Sequence, residues 1–543
     1  MVGGMSIDTI LQARRLLYGG GGALYPGMTG GPADWLRKTA TTTGLTTGTG
    51  LVEFDLERIA KRLFPAHAPL RNEIPRVGPT GLGFGTLANW RSIINIQNTQ
   101  VYAGVSEGKR GGQIQYQEKD FSATYCGLGL ESFVNFEAEY AALGYDDILD
   151  TATVTLLQAV MVQEELQLLF GNPSTGGIAL GTTPTPTVTD AGGSGSGFTA
   201  TVQTVACAAL TPWGLIIAGG PVPAGSTANF VISNALVDQQ TRTNADGSTD
   251  TVNGGHAILS ATGTVTPTAG HNVTATVAGV KGAAAYAWYL APNGGATLYL
   301  AGITSIPTIT WTQIPSNTNQ TSTAVSLTSD RSAMLPVAFA GLTTLAFATS
   351  GWGTGGIFTP MGGLVGNPAA GGAYYKSLAA AAFSFTGNAC NELDTSLRWL
   401  WDNYRIYVDE VWVSAYQAMK LTNGIVTSAA PTYRIELQNG QQRVTGGALV
   451  AQYINKFSLG GATTLPIRVH PYLPDGWCFL NLKTITDKYP IANVTVPARV
   501  KARREYYSVA WPVTTRQRQY GVYVDEVLEH YMPFALGMIT DIA

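Results

Sequence analysis

Gly104-Val105-Ser106-Glu107-Gly108 matches G-x-S-x-G, the pattern that seats a serine nucleophile on a sharp strand-to-helix turn. That chemistry needs a helix directly after the serine, and Gly108-Lys109-Arg110-Gly111-Gly112 cannot start one. The stretch reads instead as a solvated hairpin tip. It also approaches a phosphate-binding loop, but Ala103 stands where the first glycine belongs and Arg110 where a magnesium-binding hydroxyl belongs. Two carboxylate pairs, Asp409-Glu410 and Asp525-Glu526, each sit in Tyr-Val-Asp-Glu-Val. Neighbouring strand residues point to opposite faces, so neither pair can share a metal or a substrate, and both read as solvated or ion-paired acids. The five histidines, His67, His256, His271, His470 and His530, lack metal-ligand spacing and read as core-edge or interface residues. Trp399, Trp401, Trp412 and Trp477 fall on apolar faces and read as core. No catalytic, cofactor-binding or metal-binding constellation emerges, and the chain reads as no enzyme with no cofactor.

Composition points the same way. Charged residues are 12% of the chain, about half the ~25% usual for soluble proteins. Glycine is abundant, 65 of 543 residues, and hydrophobic residues reach 45%. Such a surface suits contact with other protein. The formal net charge of −3 argues against a protein that reads base sequence, which carries a basic excess. Any DNA contact is expected to be electrostatic and blind to sequence, through local positions such as Arg58, Lys61 and Arg62. Met1 to Tyr18 holds no apolar run of secretory type, and no stretch is apolar over a membrane's thickness. The four separated cysteines, Cys126, Cys207, Cys390 and Cys478, read as buried thiols in a reducing compartment.

At ~150 residues per domain, a chain of this length holds several. A Gly-rich arm spans 1–89, with a basic helix expected at Glu53 to Phe64 and a proline-bounded stretch at 69–76 that suits neither helix nor central strand. Residues 90–125 read as two long strands, Ser92 to Ala103 and Gly112 to Tyr125, joined by the tip 106–111. Residues 126–172 carry the clearest helix, 146–170, capped by Asp146 or Asp147 and stopped by Gly171 and Pro173. Residues 173–352 turn to Thr, Val, Gly and Pro, with strands at 199–205 and 272–277 and a hairpin about Pro292-Asn293-Gly294-Gly295. This block reads as an inserted immunoglobulin-like β-sandwich whose two ends lie close together. Residues 353–543 return to mixed α/β: helix 391–404, strand 405–413, helix 414–422 closed by Asn423-Gly424, then strands at 466–470, 477–482 and 506–513.

This order resembles the tailed-phage major capsid protein, the Hong Kong 97 fold. Residues 90–125 look like its extended loop, 146–170 like the spine helix of its peripheral domain, and 405–424 like a strand and helix of its axial domain. Pro471-Tyr472-Leu473-Pro474-Asp475-Gly476-Trp477 and Trp511-Pro512-Val513-Thr514-Thr515-Arg516 are similar to stretches of such proteins, and Gly282 to Trp288 to their inserted domains. The resemblance implies an α+β subunit that self-assembles into pentamers and hexamers of an icosahedral shell around double-stranded DNA. It implies assembly in the host cytoplasm into a virion capsid, with portal, scaffold and possible decoration proteins as further partners and no membrane. Ile94, Ile96, Lys109, Arg110, Tyr116 and Lys119 of the extended loop are the implied subunit-interface residues. Lys109 and Lys119 stand where some members carry a cross-linking lysine, but no asparagine partner or activating acid can be named, which leaves a cross-link open. The alternative is a secreted or surface-layer adhesin with immunoglobulin-like domains. That class predicts a signal peptide and no spine helix, the reverse of what the sequence suggests.

Overall fold

A computed structural model describes residues 67–78, 85–97, 104–111, 113, 115–142, 147–221, 235–315, 321, 327–347, 372–387, 389–428, 452–458, 460–489 and 492–543. All belong to one compact unit, Lys61–Ala543. The helix expected at 53–64 lies outside the described residues.

The proline-bounded stretch does form a helix, α1 (Pro69–Glu73), which corrects the sequence reading. Pro69 at its start has no N–H to satisfy, and the next two donors, Leu70 N and Arg71 N, reach the buried Glu165 carboxylate at 3.0 and 2.6 Å. A two-residue strand, β1 (Arg76–Val77), follows. Then β2 (Leu87–Gln97) and β3 (Gln115–Thr124) pair antiparallel as a sheet of their own, with a register shift that leaves Ile94 as the bulge residue. After β4 (Cys126–Asn135) and the short α2 (Phe136–Ala141) comes α3 (Ile148–Phe170). Asp147 caps it, accepting from Leu149 N and Asp150 N at 3.1 Å.

The β block contains β5 (Thr187–Gly192), β6 (Gln203–Leu210), α4 (Pro212–Ile217), β7 (Gln239–Thr243), β8 (Thr249–Asn253), β9 (Gly263–Val265), β10 (Asn272–Thr276), β11 (Ala285–Ala291), β12 (Tyr299–Thr304) and β13 (Thr308–Trp311). Two antiparallel sheets, β13-β10-β5 and β12-β11-β6-β9, close on a core of Val205, Cys207, Tyr286 and Trp288 against Val273, Ala275, Ile309 and Trp311. The sandwich is there, but its strand order is not that of an immunoglobulin domain. Counted along the two sheets, the third and sixth strands flank the second and fifth, whereas an immunoglobulin domain puts them in the opposite sheet. The four-stranded sheet is buried on its other face as well, under Leu215, Leu236 and Leu327. That second layer explains why β11 (AYAWYLA) is buried at every position instead of alternating.

The chain leaves and rejoins the rest of the fold at one place. Gly341 N donates to Gly171 O at 2.8 Å, and Thr343 Oγ1 donates to Leu169 O at 2.6 Å, just before and within α5 (Leu342–Phe347).

The last block adds β14 (Tyr374–Ser377), the small pair β15 (Phe385–Thr386) and β16 (Ala389–Cys390), α6 (Asn391–Tyr404), β17 (Glu410–Val413), α7 (Ala415–Ser428), β18 (Gln452–Asn455), β19 (Thr463–Val469), β20 (Cys478–Asn481), β21 (Ala498–Ala510), β22 (Gln517–His530) and β23 (Gly537–Thr540). A six-stranded sheet, β14-β23-β20-β17-β19-β18, shares one core with α6 and α7 through Leu393, Leu397, Leu400, Leu421, Val411 and Leu480. The long strands β21 and β22 belong to a separate sheet, β1-β21-β22-β4, on which α3 lays Leu156 and Val160 against Tyr520, Val522 and Val524. A central cluster joins the parts: Leu168, Leu169 and Phe170 of α3 meet Phe347, Trp477, Phe479, Val527 and Met538.

Two local expectations change. Helix α7 runs through Asn423-Gly424 to Ser428, because Gly424 lets the Phe385 ring lie on the helix backbone where a Cβ would overlap it. Trp412 and Trp477 are core residues, but Trp401 is half-buried under the Arg405 guanidinium, 5.9 Å from its ring centre.

Candidate functional site

The β2/β3 ribbon is a two-stranded sheet that pairs with no other, as β7/β8 also is. At its root Ala88 is buried, and Trp90 packs on Phe121 (5.8 Å between rings) while donating Nε1–H to His530 O at 3.3 Å. Next to the root the described side chains Arg91, Glu118 and Asp120 are charged. Arg91 grips Asp120 at 2.6 Å and Glu118 at 3.0 Å, and an open trough of about 530 Å³ runs between Asn89, Trp90, Arg91, Asp120, Phe121 and Ser122.

At the tip, Lys109 N donates to Ser106 O at 3.1 Å, and Gly108 takes φ +74°, a value that favours glycine. Ser106 is thus a turn residue with no helix behind it. Gly104 to Gly111 are exposed throughout, Lys109 and Arg110 included. Neither cation forms an ion pair among the described residues. The ribbon pairs Ile96 with Tyr116 and Lys119 with Ser92. The side chains of Ile94, Ile96, Tyr116 and Lys119 lie outside the described residues.

The sequence reading missed a second surface. β4 ends the sheet β1-β21-β22-β4, and it exposes Phe133 (60%) beside the exposed Trp511 and Val513 of the β21–β22 turn. The signal was the alternation in Gly127-Leu128-Gly129-Leu130-Glu131-Ser132-Phe133-Val134.

Each acid pair divides between two faces and binds cations of this chain. Asp409 accepts from Lys483 N, Thr484 N and Lys488 Nζ at 2.6, 2.9 and 2.5 Å. Glu410 points the other way, buried against Lys483 Nζ (2.7 Å), Arg468 Nε (3.3 Å) and Asn481. Asp525 meets Arg503 at 3.0 Å, and Glu526 meets Arg76 at 2.6 Å. Burial holds the His530 imidazole neutral, down to about 3, with Nδ1 accepting from Met532 N. His470 Nε2 lies 2.7 Å from Glu165, both side chains fully buried. His271 pairs with Asp190 at 2.8 Å, and His256 lies 3.6 Å from Asp238.

All four cysteines are buried and free, and burial pushes the Cys126 and Cys390 thiols up to about 12. Reactive thiolates need the opposite environment. Among the described residues no group of three or more His, Cys, Asp or Glu could hold a metal, and no helix is long and apolar enough to cross a membrane. The void beneath Phe170, Phe347 and Trp477 measures about 20 Å³, far below the ~300–1,000 Å³ of ligand pockets.

No family model matches the sequence, and no curated protein matches it. Solved structures do. The chain is similar to the capsid of a native GTA particle (8% identity, TM-score 0.37, covering 93% of this chain and 99% of that one). It is similar to the capsid asymmetric unit of cyanophage A-1(L) (8% identity, TM-score 0.42, 91% and 98% covered). It is also similar to the capsid of cyanophage P-SCSP1u (8% identity, TM-score 0.34, 91% and 95% covered).

Proposed function

We propose that this chain is a shell-forming subunit, the major capsid protein of a tailed phage, assembling as hexamers and pentamers into an icosahedral shell around double-stranded DNA. The observation that carries the reading is the β2/β3 ribbon. It is a two-stranded sheet with a fully exposed tip, and an isolated hairpin is marginal in water. A neighbouring copy that covers the ribbon supplies the missing layer, and a closed ring of such contacts needs one surface repeated. Lys109, Arg110 and Lys119 meet acids of that neighbour, each pair worth ~0–1 kcal/mol at an exposed rim. Ile94, Ile96 and Tyr116 complete the contact.

The inserted β domain stands on the outer face, where it contacts neighbouring inserts or a decoration protein. Portal and scaffold proteins are further partners, DNA contact is electrostatic and sequence-independent, and assembly takes place in the host cytoplasm. The test is expression of the chain with and without a scaffold, followed by sedimentation and electron microscopy. Closed shells are the expected result. Compact monomers at high concentration under both conditions overturn it.

A further inference from the structure

Residues 67–78 join α3 and the long β21/β22 sheet through few apolar side chains, Leu70 in the central cluster and Ile74 packed against it. Their buried apolar side chains are Ala68 and Leu70, and β1 adds only the pairs Arg76↔Val500 and Val77↔Lys501 to the sheet. The other contacts are polar. Glu165 accepts from the two backbone N–H groups of α1, and His470 Nε2–H donates to it, since Tyr472 N occupies Nδ1. Glu164 accepts from Arg71 Nε at 3.1 Å, from Arg76 Nη1 and from Tyr506 OH. Arg76 Nη2 reaches Glu526 at 2.6 Å. Outside, Glu73 binds Lys483 at 2.5 Å and Arg468.

At the centre of the clasp Glu164 and Glu526 are both 0% exposed and share the Arg76 guanidinium, while Glu164 alone has Arg71 as a second cation. Glu526 Oε1 is buried with no donor in reach. Two neighbouring buried carboxylates disfavour each other's charge. A proton on Glu526 makes its carboxyl a donor and leaves Glu164 as the one charged acid between Arg71 and Arg76. Burial first, and the Glu164 charge second, raise the Glu526 carboxyl to about 7, against the opposing pull of Arg76.

The other groups around the pair are accounted for. Cys126 of β4 is a neutral thiol, Asp525 is bound by Arg503, and Tyr506 of β21 and Arg71 of α1 both face Glu164.

We propose that residues 67–78 form a proton-held strap: Glu526, Arg76 and Glu164 clasp it to α3 and the long sheet while Glu526 holds a proton, and the strap lifts as a unit when that proton leaves. The device is internal to the subunit and does not rest on the shell reading. Its sign follows from linkage. The carboxyl binds its proton more tightly clasped, near 7, than at its ordinary value of 4.5. The clasp is therefore complete below the ordinary value and weakens as pH rises through about 7.

Hydrogen exchange of the full chain, read by mass spectrometry from about pH 5.5 to 8.5 and corrected for intrinsic rates, tests this. Protection of the 69–77 amides should fall by up to about tenfold per pH unit from about pH 5.5 to neutrality and level off above it, while α6 stays flat. Glu526→Gln should flatten the strap profile, and Arg76→Ala should leave the strap unprotected at every pH. A flat wild-type profile overturns the proposal, as does a slope that survives Glu526→Gln or vanishes only in His470→Gln. Should Glu526→Gln fail to fold, the wild-type infrared spectrum decides. A protonated-carboxyl band that fades near neutrality supports the strap, and its absence at about pH 5.5 overturns it.

Discussion

Gly424 shows how one residue can carry two opposite signals. In sequence, Asn423-Gly424 after an apolar-periodic run is the mark of a helix stop. In the fold, α7 continues to Ser428 and the glycine serves as the floor for the Phe385 ring. The two roles differ in what alanine would do. In an exposed helix interior, Gly→Ala gains about 0.5–1 kcal/mol. Against the ring, the new Cβ overpacks a filled site at about 1–3 kcal/mol. Gly424→Ala should therefore destabilise the chain by about 1 kcal/mol, measured as a lower denaturant midpoint at unchanged m-value, and Phe385→Leu should relieve part of the loss. A stabilised Gly424→Ala would show that the ring yields freely. The acids teach the same lesson. Alternation was enough to separate Asp409 from Glu410 and Asp525 from Glu526, because strand geometry is local. Their partners, Lys488 and Arg76, are 79 and 450 residues away, and no local pattern points to them.

Elements with strong local signals were the legible ones. Helix 391–404 was readable to the residue, and α3 to within two, because an Asp cap and a Gly-Pro stop frame an apolar stripe. The strap helix α1 was not, since its first-turn donors are satisfied by Glu165, 95 residues on. The ribbon was legible as a hairpin but not in its register, where Ile94 is the bulge and the strands begin nearer the root. For the ribbon the prediction is made at the scale of the whole element. Deleting Glu107 to Gly112 removes an exposed tip that no described side chain packs against, so the subunit should keep its circular dichroism and melting temperature. Assembly should weaken or fail, because the same contact is lost at every repeat of the shell, while Lys109→Ala alone, one rim charge worth ~0–1 kcal/mol, should slow it only slightly. Shells of unchanged yield and stability from the deletion variant would remove the ribbon from the interface.

At the scale of the molecule, the β block is docked on its host as well as tethered to it. Trp477 is the central contact: its ring meets Phe170 and Phe347 edge-on at 6.3 and 5.2 Å, and Nε1–H donates to Ala283 O at 3.2 Å. Nearby, Tyr286 OH donates to Asp541 at 3.1 Å, and Asp541 in turn accepts from Ser377 Oγ at 2.5 Å. None of this seam could be read from a sequence that showed only where the composition changes, because its partners lie far apart in the chain, in helix ends, turns and strands alike. The block nevertheless has its own core, Trp288 against Trp311 at 6.4 Å with Val205 and Ile309 around them, so it should outlast the loss of the seam. Trp477→Ala opens a cavity worth about 3–5 kcal/mol in the shared cluster and strands the Ala283 carbonyl. In calorimetry of the monomer, the single unfolding transition expected for the intact seam should split in the variant. The host should melt earlier, and the second transition should match that of residues 173–341 expressed alone. One transition, shifted but undivided, would mean that the block has no stability apart from its host.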